Sequence, residues 1–242
     1  MSTSGRSPLA IAKQTYAGSM KAVGRGLART GLARDTAPPV EHRVRHWAHS
    51  LTRVYDSLAM AELDVPWWSY AAISHVDGWL AGRRRPIRVF EYGSGASTVW
   101  LAKRADEVHS VEHHRGFGEM MATELARLPN VSLRIVEPTA SAHPVVGSAK
   151  EGHQDLDFQA YVDAIDAVDG AFDLVVIDGR AREACLAKAS RRLAPDGIIV
   201  FDNSRRQRYR VAIVGSGLRE RVFRGLTPTL PYPEQTSVLT RP

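Results

Sequence analysis

Four acidic residues in this chain each close an apolar run, and each can hold or activate a ligand: Glu91, Glu112, Asp178 and Asp202. Glu91 runs through Tyr92 into Gly93-Ser94-Gly95. Gly93 has no Cβ to block a tight turn, and Gly95 lets a ligand touch bare backbone. A helix opening at Ser97 places that turn near the positive end of a helix dipole, with Ser97 or Thr98 as the capping hydroxyl. Glu112 follows Gly95 by seventeen residues. A carboxylate at the tip of a second strand is placed to hold a ribose by its hydroxyls. Four histidines, His113, His114, His143 and His153, have side chains whose ionisation suits proton transfer near neutrality. His143 and His153 lie in a polar stretch, 137–154, long enough to close over a site; His143 is the candidate base. Arg205, Arg206 and Arg208 with Tyr209 can bind an acidic or sugar-rich substrate through bidentate hydrogen bonds, or form a solvated face.

An alternation of strand and helix positions these residues. Apolar runs at 87–92, 108–112, 131–136, 172–177 and 198–201 read as strands, with helices expected near 97–104, 116–128, 157–168 and 181–193. Such alternation builds an open parallel sheet with helices on both faces. Ligands of these sheets bind outside the carboxyl ends of the strands, and all four acids fall on that edge. Residues 206–218 read as a helix. Runs at 222–226 and 236–240, joined through several prolines, read as an antiparallel pair at the sheet edge. Val211 to Gly217 looks like the opening of a dinucleotide domain. Too few residues follow for one, so its glycines are expected to end a helix.

Before the first strand, Val44, Trp47, Leu51, Val54, Tyr55 and Leu58 recur at helical spacing, and Pro66 opens a second predicted helix that includes Trp79. Trp67, Trp68 and Tyr70 either line a substrate mouth or pack in the core. The expected organisation is a basic flexible extension over 1–40, a helical cover over 41–85, and a ligand-binding domain over 86–242.

Composition narrows the function further. The net charge of +6 is concentrated at one end: residues 1–36 hold six cations (Arg6, Lys13, Lys21, Arg25, Arg29 and Arg34) against Asp35, leaving +1 on the rest. A nucleic-acid footprint needs a basic face on the fold itself, so no nucleic-acid partner is expected. Residues 11–27 can form a basic amphipathic helix for peripheral contact with an anionic membrane. No apolar run is long enough for a transmembrane segment, and no signal-peptide core follows Met1, so a cytoplasmic location is expected. The single cysteine, Cys185, excludes an internal disulfide and is expected to be a buried thiol. The Ala- and Arg-rich composition points to a high-GC bacterium.

The dinucleotide fingerprint G-x-G-x-x-G needs a third glycine, and Thr98 stands there, which argues against a nicotinamide or flavin enzyme. Glu91-Tyr92-Gly93-Ser94-Gly95 instead resembles the first motif of class I S-adenosylmethionine-dependent methyltransferases. Residues 172–179, an apolar strand ending in Asp178-Gly179, and residues 193–203, from Leu193-Ala194-Pro195-Asp196-Gly197 to Asp202-Asn203, resemble later motifs of the same superfamily. Asp196 replaces the usual first glycine of that turn. The resemblance covers about 86–205 and implies a Rossmann-like, seven-stranded, mostly parallel sheet with an antiparallel last strand.

It also implies S-adenosylmethionine as cofactor. The expected contacts are the Gly93–Gly95 turn with Glu91, Tyr92, Ser97 and Thr98, then Glu112 and His113, then Glu137 near the adenine, and Asp178. Within the superfamily, Asp178, Asp202 and Asn203 match the metal ligands of catechol O-methyltransferase-like enzymes, and hard oxygen ligands suit Mg²⁺. The lysine base of those enzymes is replaced by Ala181, flanked by Arg180 and Arg182. His143, Asp178 and Arg180 are the catalytic candidates. The implied activity is O-methylation of a sugar, glycan or polyhydroxylated small molecule by a possible homodimer. Rival readings are an aminopropyl transferase, a nicotinamide oxidoreductase, and a non-catalytic module tethered by the basic extension.

Overall fold

The inner strands of the sheet are apolar on both faces because helices cover both, as parallel strands require. The computed structural model describes residues 36–53 and 57–242; the first 35 residues of the extension, with Val54 and Tyr55, lie outside them. Seven strands form one sheet in the order β3-β2-β1-β6-β7-β9-β8. They are β1 (Arg88–Tyr92), β2 (Glu107–Glu112), β3 (Val131–Ile135), β6 (Phe172–Ile177), β7 (Leu193–Asp202), β8 (Arg219–Gly225) and β9 (Glu234–Thr240). Pairs among β3, β2, β1, β6 and β7 are parallel; β9 runs antiparallel between β7 and β8. The expected final hairpin forms, but its last strand is inserted, and β8 is the edge.

Side-chain parity sorts the core into two layers. Val89, Leu174, Val176, Ile198 and Val200 face one layer, with Trp68, Trp100 and Val76. Phe90, Tyr92, Val175, Ile177, Ile199 and Phe201 face the other, with Tyr161, Cys185 and Ile213. α4 (Ala96–Ala102) and α5 (Arg115–Leu125) follow β1 and β2; α6 (Gln159–Asp163), α7 (Arg182–Arg192) and α8 (Gln207–Gly215) belong to the later crossovers. The polar stretch after β3 is not plain loop: β4 (Thr139–Ala140) and β5 (Leu156–Asp157) pair antiparallel at its base.

The N-terminal cover departs from its periodicity. It forms α1 (Arg43–Ser50), a 3-10 turn (Leu51–Arg53), α2 (Ser57–Glu62) and α3 (Tyr70–Ala81). Val44 is exposed, so the expected stripe does not hold from its first member. Pro66 does not open a helix; α3 begins at Tyr70 because the Ser69 side chain caps it, accepting from Ala72 N–H. Among the described residues no helix is long and apolar enough to cross a membrane.

Candidate active site

Gly93 adopts φ +99°, and a Cβ there would sit 2.9 Å from the backbone of Gly179. Only glycine fits where the turn after β1 meets the turn after β6. At Gly95, by contrast, an added Cβ meets nothing within 4 Å, so the backbone is open to a ligand.

Glu91 lies behind this turn, not in the ligand space. It is fully buried, and its carboxylate accepts from Ser97 Oγ (2.5 Å), Thr98 Oγ1 (2.5 Å) and Ser110 Oγ (2.8 Å). Thr98 Oγ1 also accepts from Gly95 N–H at 2.9 Å. The residue replacing the third glycine therefore links Glu91 to the turn. Glu91, Ser97 and Thr98, expected to touch cofactor, brace the turn from behind. Burial pushes Glu91's pKa up to about 7 against its three hydroxyl donors, with Asp178's charge adding to the rise.

Tyr92 also departs from expectation. Strand parity turns its ring into the opposite layer, where its hydroxyl donates to the Val162 carbonyl at 2.7 Å. Only its backbone carbonyl, accepting from Asp178 N–H, stands at the strand end.

Glu112 sits where a ribose-holding carboxylate is expected. Its Oε1 accepts from the amides of His113 and His114 at 2.9 and 2.8 Å, and His113 Nδ1 lies 2.8 Å away. Oε2 has only longer contacts, from Ser94 N–H at 3.2 Å and Ser94 Oγ at 3.4 Å. Burial pushes the pKa of Glu112 up, but His113 and the two amides outweigh it and hold the carboxyl below its usual range. The His113 ring packs near Phe158 and Tyr161. Glu137 does not stand free: it pairs with Arg115 at 2.6 Å on the surface.

At the tips of β6 and β7 a guanidinium occupies the position between the expected metal ligands. Arg182, 4% exposed, donates to the Asp178 carbonyl (2.6 Å), Asp178 Oδ1 (2.8 Å), the Gly179 carbonyl (3.0 Å) and the Asp202 carbonyl (2.5 Å). Its Nη1 is 3.9 Å from Asp202 Oδ2. Asp202 Oδ1 accepts from Thr236 Oγ1 at 2.8 Å. One of the two positive charges a divalent ion would supply is already present, and Arg182 sits bonded to Asp178 Oδ1 and the Asp202 carbonyl, in the space between the tips that such an ion would need. Asp178, Asp202 and Asn203 therefore do not fit an Mg²⁺ site. Among the described residues no group of three His, Cys, Asp or Glu side chains could hold a metal. Asp178 retains 22% side-chain exposure, against 4% for Glu112 and for Asp202.

Three non-glycine residues at this sheet edge adopt left-handed backbone: Ala181 (φ 48°) after β6, Asn203 (φ 51°) after β7 and Thr229 (φ 63°) after β8. Backbone strain of this kind gathers at functional edges. Thr229 is held by Ser50 and Trp67, whose hydroxyl and indole reach its N–H and Oγ1. Trp67 thus serves the edge, whereas Trp68 packs edge-to-face on Trp100, and the Tyr70 hydroxyl meets buried His46 at 2.6 Å. Those two are core.

His143 is exposed, and no bond ties its side chain to Asp178 or Arg180 among the described residues. His153, from the same excursion, stacks on Phe158. Cys185 is fully buried with its thiol pushed well up by burial, as expected of an inert core cysteine. Sequence reasoning missed Ser110 and Arg182. Ser110 pairs in register with Glu91, a signal open to strand alignment, whereas Arg182 acts mainly through backbone carbonyls, which leave no mark in the sequence.

This seven-stranded sheet, with its glycine turn, buried Glu112 and acidic strand tips on one edge, has the Rossmann-like fold of class I S-adenosylmethionine-dependent methyltransferases. Residues 90–204 match the family model described as Methyltransferase domain. No curated protein matches the chain. Among solved structures, precorrin 8w decarboxylase from Methanobacterium thermoautotrophicum aligns at TM-score 0.50 and 16% identity, over 73% of this chain and 92% of that one. An rRNA methylase from Streptococcus thermophilus aligns at 0.49 and 12%, over 70% and 96%. A methyltransferase-like protein from Silicibacter pomeroyi aligns at 0.45 and 24%, over 70% and 87%.

Proposed function

We propose that this protein transfers a methyl group from S-adenosylmethionine to a hydroxyl oxygen of a sugar, glycan or polyhydroxylated small molecule, without a metal ion. Glu112 carries the reading: a carboxylate kept ionised at the tip of β2, beside a glycine turn whose backbone is open. Its Oε2 has only long contacts, from Ser94, and keeps acceptor capacity for ribose hydroxyls, which supports the reading. Gly93 and Gly95 admit the methionine part along the turn, and Glu91 fixes the turn from behind.

Bound S-adenosylmethionine supplies a methyl already activated on a sulfonium, so alignment of the acceptor does most of the work. Asp178 is the acidic tip most open to an acceptor, and it takes the hydroxyl proton. Burial pushes its pKa up against the pull of Arg182, which makes it a stronger base than an ordinary carboxylate. Arg182 holds Asp178 against the β7 tip and so fixes the direction of its free oxygen.

The test is methyl transfer from labelled S-adenosylmethionine to a panel of sugars, catechols and other vicinal diols, with product analysis by mass spectrometry. Label on oxygen, undiminished by EDTA, is expected. Label on nitrogen or carbon, or loss of turnover on chelation, overturns the reading.

A further inference from the structure

Arg180 differs from the other half-buried arginines of the described residues. Arg83 pairs with Asp173, Arg88 with Glu107, Arg104 with Asp64 and Asp77, and Arg210 with Glu220. The Arg180 side chain has no hydrogen bond or ion pair with any described residue, and its Nε is buried without a partner. The carboxylates at the strand tips are engaged elsewhere, Asp178 by Arg182 and Glu112 by His113 and two backbone amides, and Glu183, which lines the recess beside Arg180, makes no ion pair with it. Burial and the charge of Arg182 both push the pKa of Arg180 down. The buried Nε–H of this half-buried side chain thus has no acceptor, and leaving a buried donor unpaired is costly.

The space beside it has matching chemistry. A recess between the β6 tip and the excursion after β3 is lined by Ser148, Lys150, Arg180, Glu183, Arg208 and Tyr209. Three cations face one carboxylate there. Arg180 follows Gly179, whose backbone meets the Gly93 turn, so it joins this recess to the strand-tip edge.

We infer that Arg180 is an anion receptor that, with Arg208, takes a carboxylate or phosphate group of a bound ligand. Guanidinium recognises both groups through paired N–H donors. The anion has two sources at this edge: the methionine carboxylate of the cofactor, or an acidic group on the acceptor. The inference rests on the methyltransferase reading for the first source only.

The experiment is calorimetric titration of wild type, Arg180→Gln and Arg180→Lys with three probes. These are S-adenosylhomocysteine, 5′-methylthioadenosine, which lacks the amino-acid carboxylate, and inorganic phosphate with and without saturating nucleoside. Loss of a charge-assisted pair weakens binding by about ten- to a hundredfold. If Arg180→Gln weakens S-adenosylhomocysteine by that factor but leaves 5′-methylthioadenosine unchanged, the receptor holds the cofactor's carboxylate. If both nucleosides bind as in wild type and phosphate alone is weakened, it holds the acceptor's anion. In either case Arg180→Lys restores part of the loss. Unchanged binding of all three probes overturns the inference, as does equal weakening of both nucleosides without rescue by lysine, which marks a displaced loop. Failure of wild type to bind S-adenosylhomocysteine sinks the methyltransferase reading, while the phosphate arm still decides the receptor.

Discussion

Glu91 is a carboxyl group whose environment favours its proton. Its pKa rises from about 4.5 in an unfolded chain to about 7 in the fold. Between those values the native state holds a proton that the unfolded state has lost. Stability therefore falls as pH rises through this window, and the loss is complete above pH 7. A shift of this size corresponds to about 3 kcal/mol. Glu91→Gln keeps an acceptor for the hydroxyls and cannot ionise, so urea unfolding at pH 5 and pH 8 is expected to show a flatter dependence than wild type. An unchanged slope means that another group sets it. At the neighbouring tip, Glu112→Ala is expected to weaken S-adenosylhomocysteine by at least about tenfold in calorimetry, because a charged acceptor is lost. Sequence showed that both carboxylates stand at strand ends. It did not by itself separate their roles. That followed from pleat parity, which puts Glu91 under α4 with Ser97 and Thr98 and sends Tyr92 to the opposite layer.

Two turns meet at the level of elements, and their glycines are constrained differently. A Cβ on Gly179 would fall 1.9 Å from the hydroxyl of Tyr161, the end of a side chain, with the Tyr92 carbonyl 3.1 Å away. A Cβ on Gly93 would strike the backbone of Gly179, and φ there is +99°. Gly179→Ala is therefore expected to destabilise, and adding Tyr161→Phe to recover part of the loss in thermal melts. Gly93→Ala is expected to be destabilising with no recovery from Tyr161→Phe, since no side chain can move aside. Equal behaviour of the two glycines would contradict this reading. The succession of strands and helices and the acidic edge were legible because apolar runs and glycine turns are local signals; the order of strands across the sheet was not. The Arg182 bridge was not, because it joins two strand tips through backbone carbonyls that sequence does not mark. Arg182→Ala removes one partner of a buried charged network and should cost about 3–5 kcal/mol of stability. Chemical denaturation measures it.

At the scale of the whole molecule, charge and fold are carried by different parts of the chain. Residues 1–36 hold five of the six net positive charges, while Ala37 and Val40 already pack against the core. A cut after residue 36 thus removes the charge and leaves the packed cover in place. We propose that this extension works apart from the chemistry, as a tether to an anionic membrane or partner. Each Lys or Arg near an anionic surface is worth about 1 kcal/mol, so six cations give retention that added salt removes. The truncated chain, 37–242, is expected to bind S-adenosylhomocysteine within about twofold of wild type, a difference well under 1 kcal/mol. It is also expected to lose co-sedimentation with phosphatidylserine-containing vesicles that the full chain shows at low salt. If truncation abolishes nucleoside binding, the extension is part of the site and the division at residue 40 is wrong. If both forms sediment alike, the charge that holds the membrane lies on the fold, and its arginine-rich edge after β7 is where it must be sought.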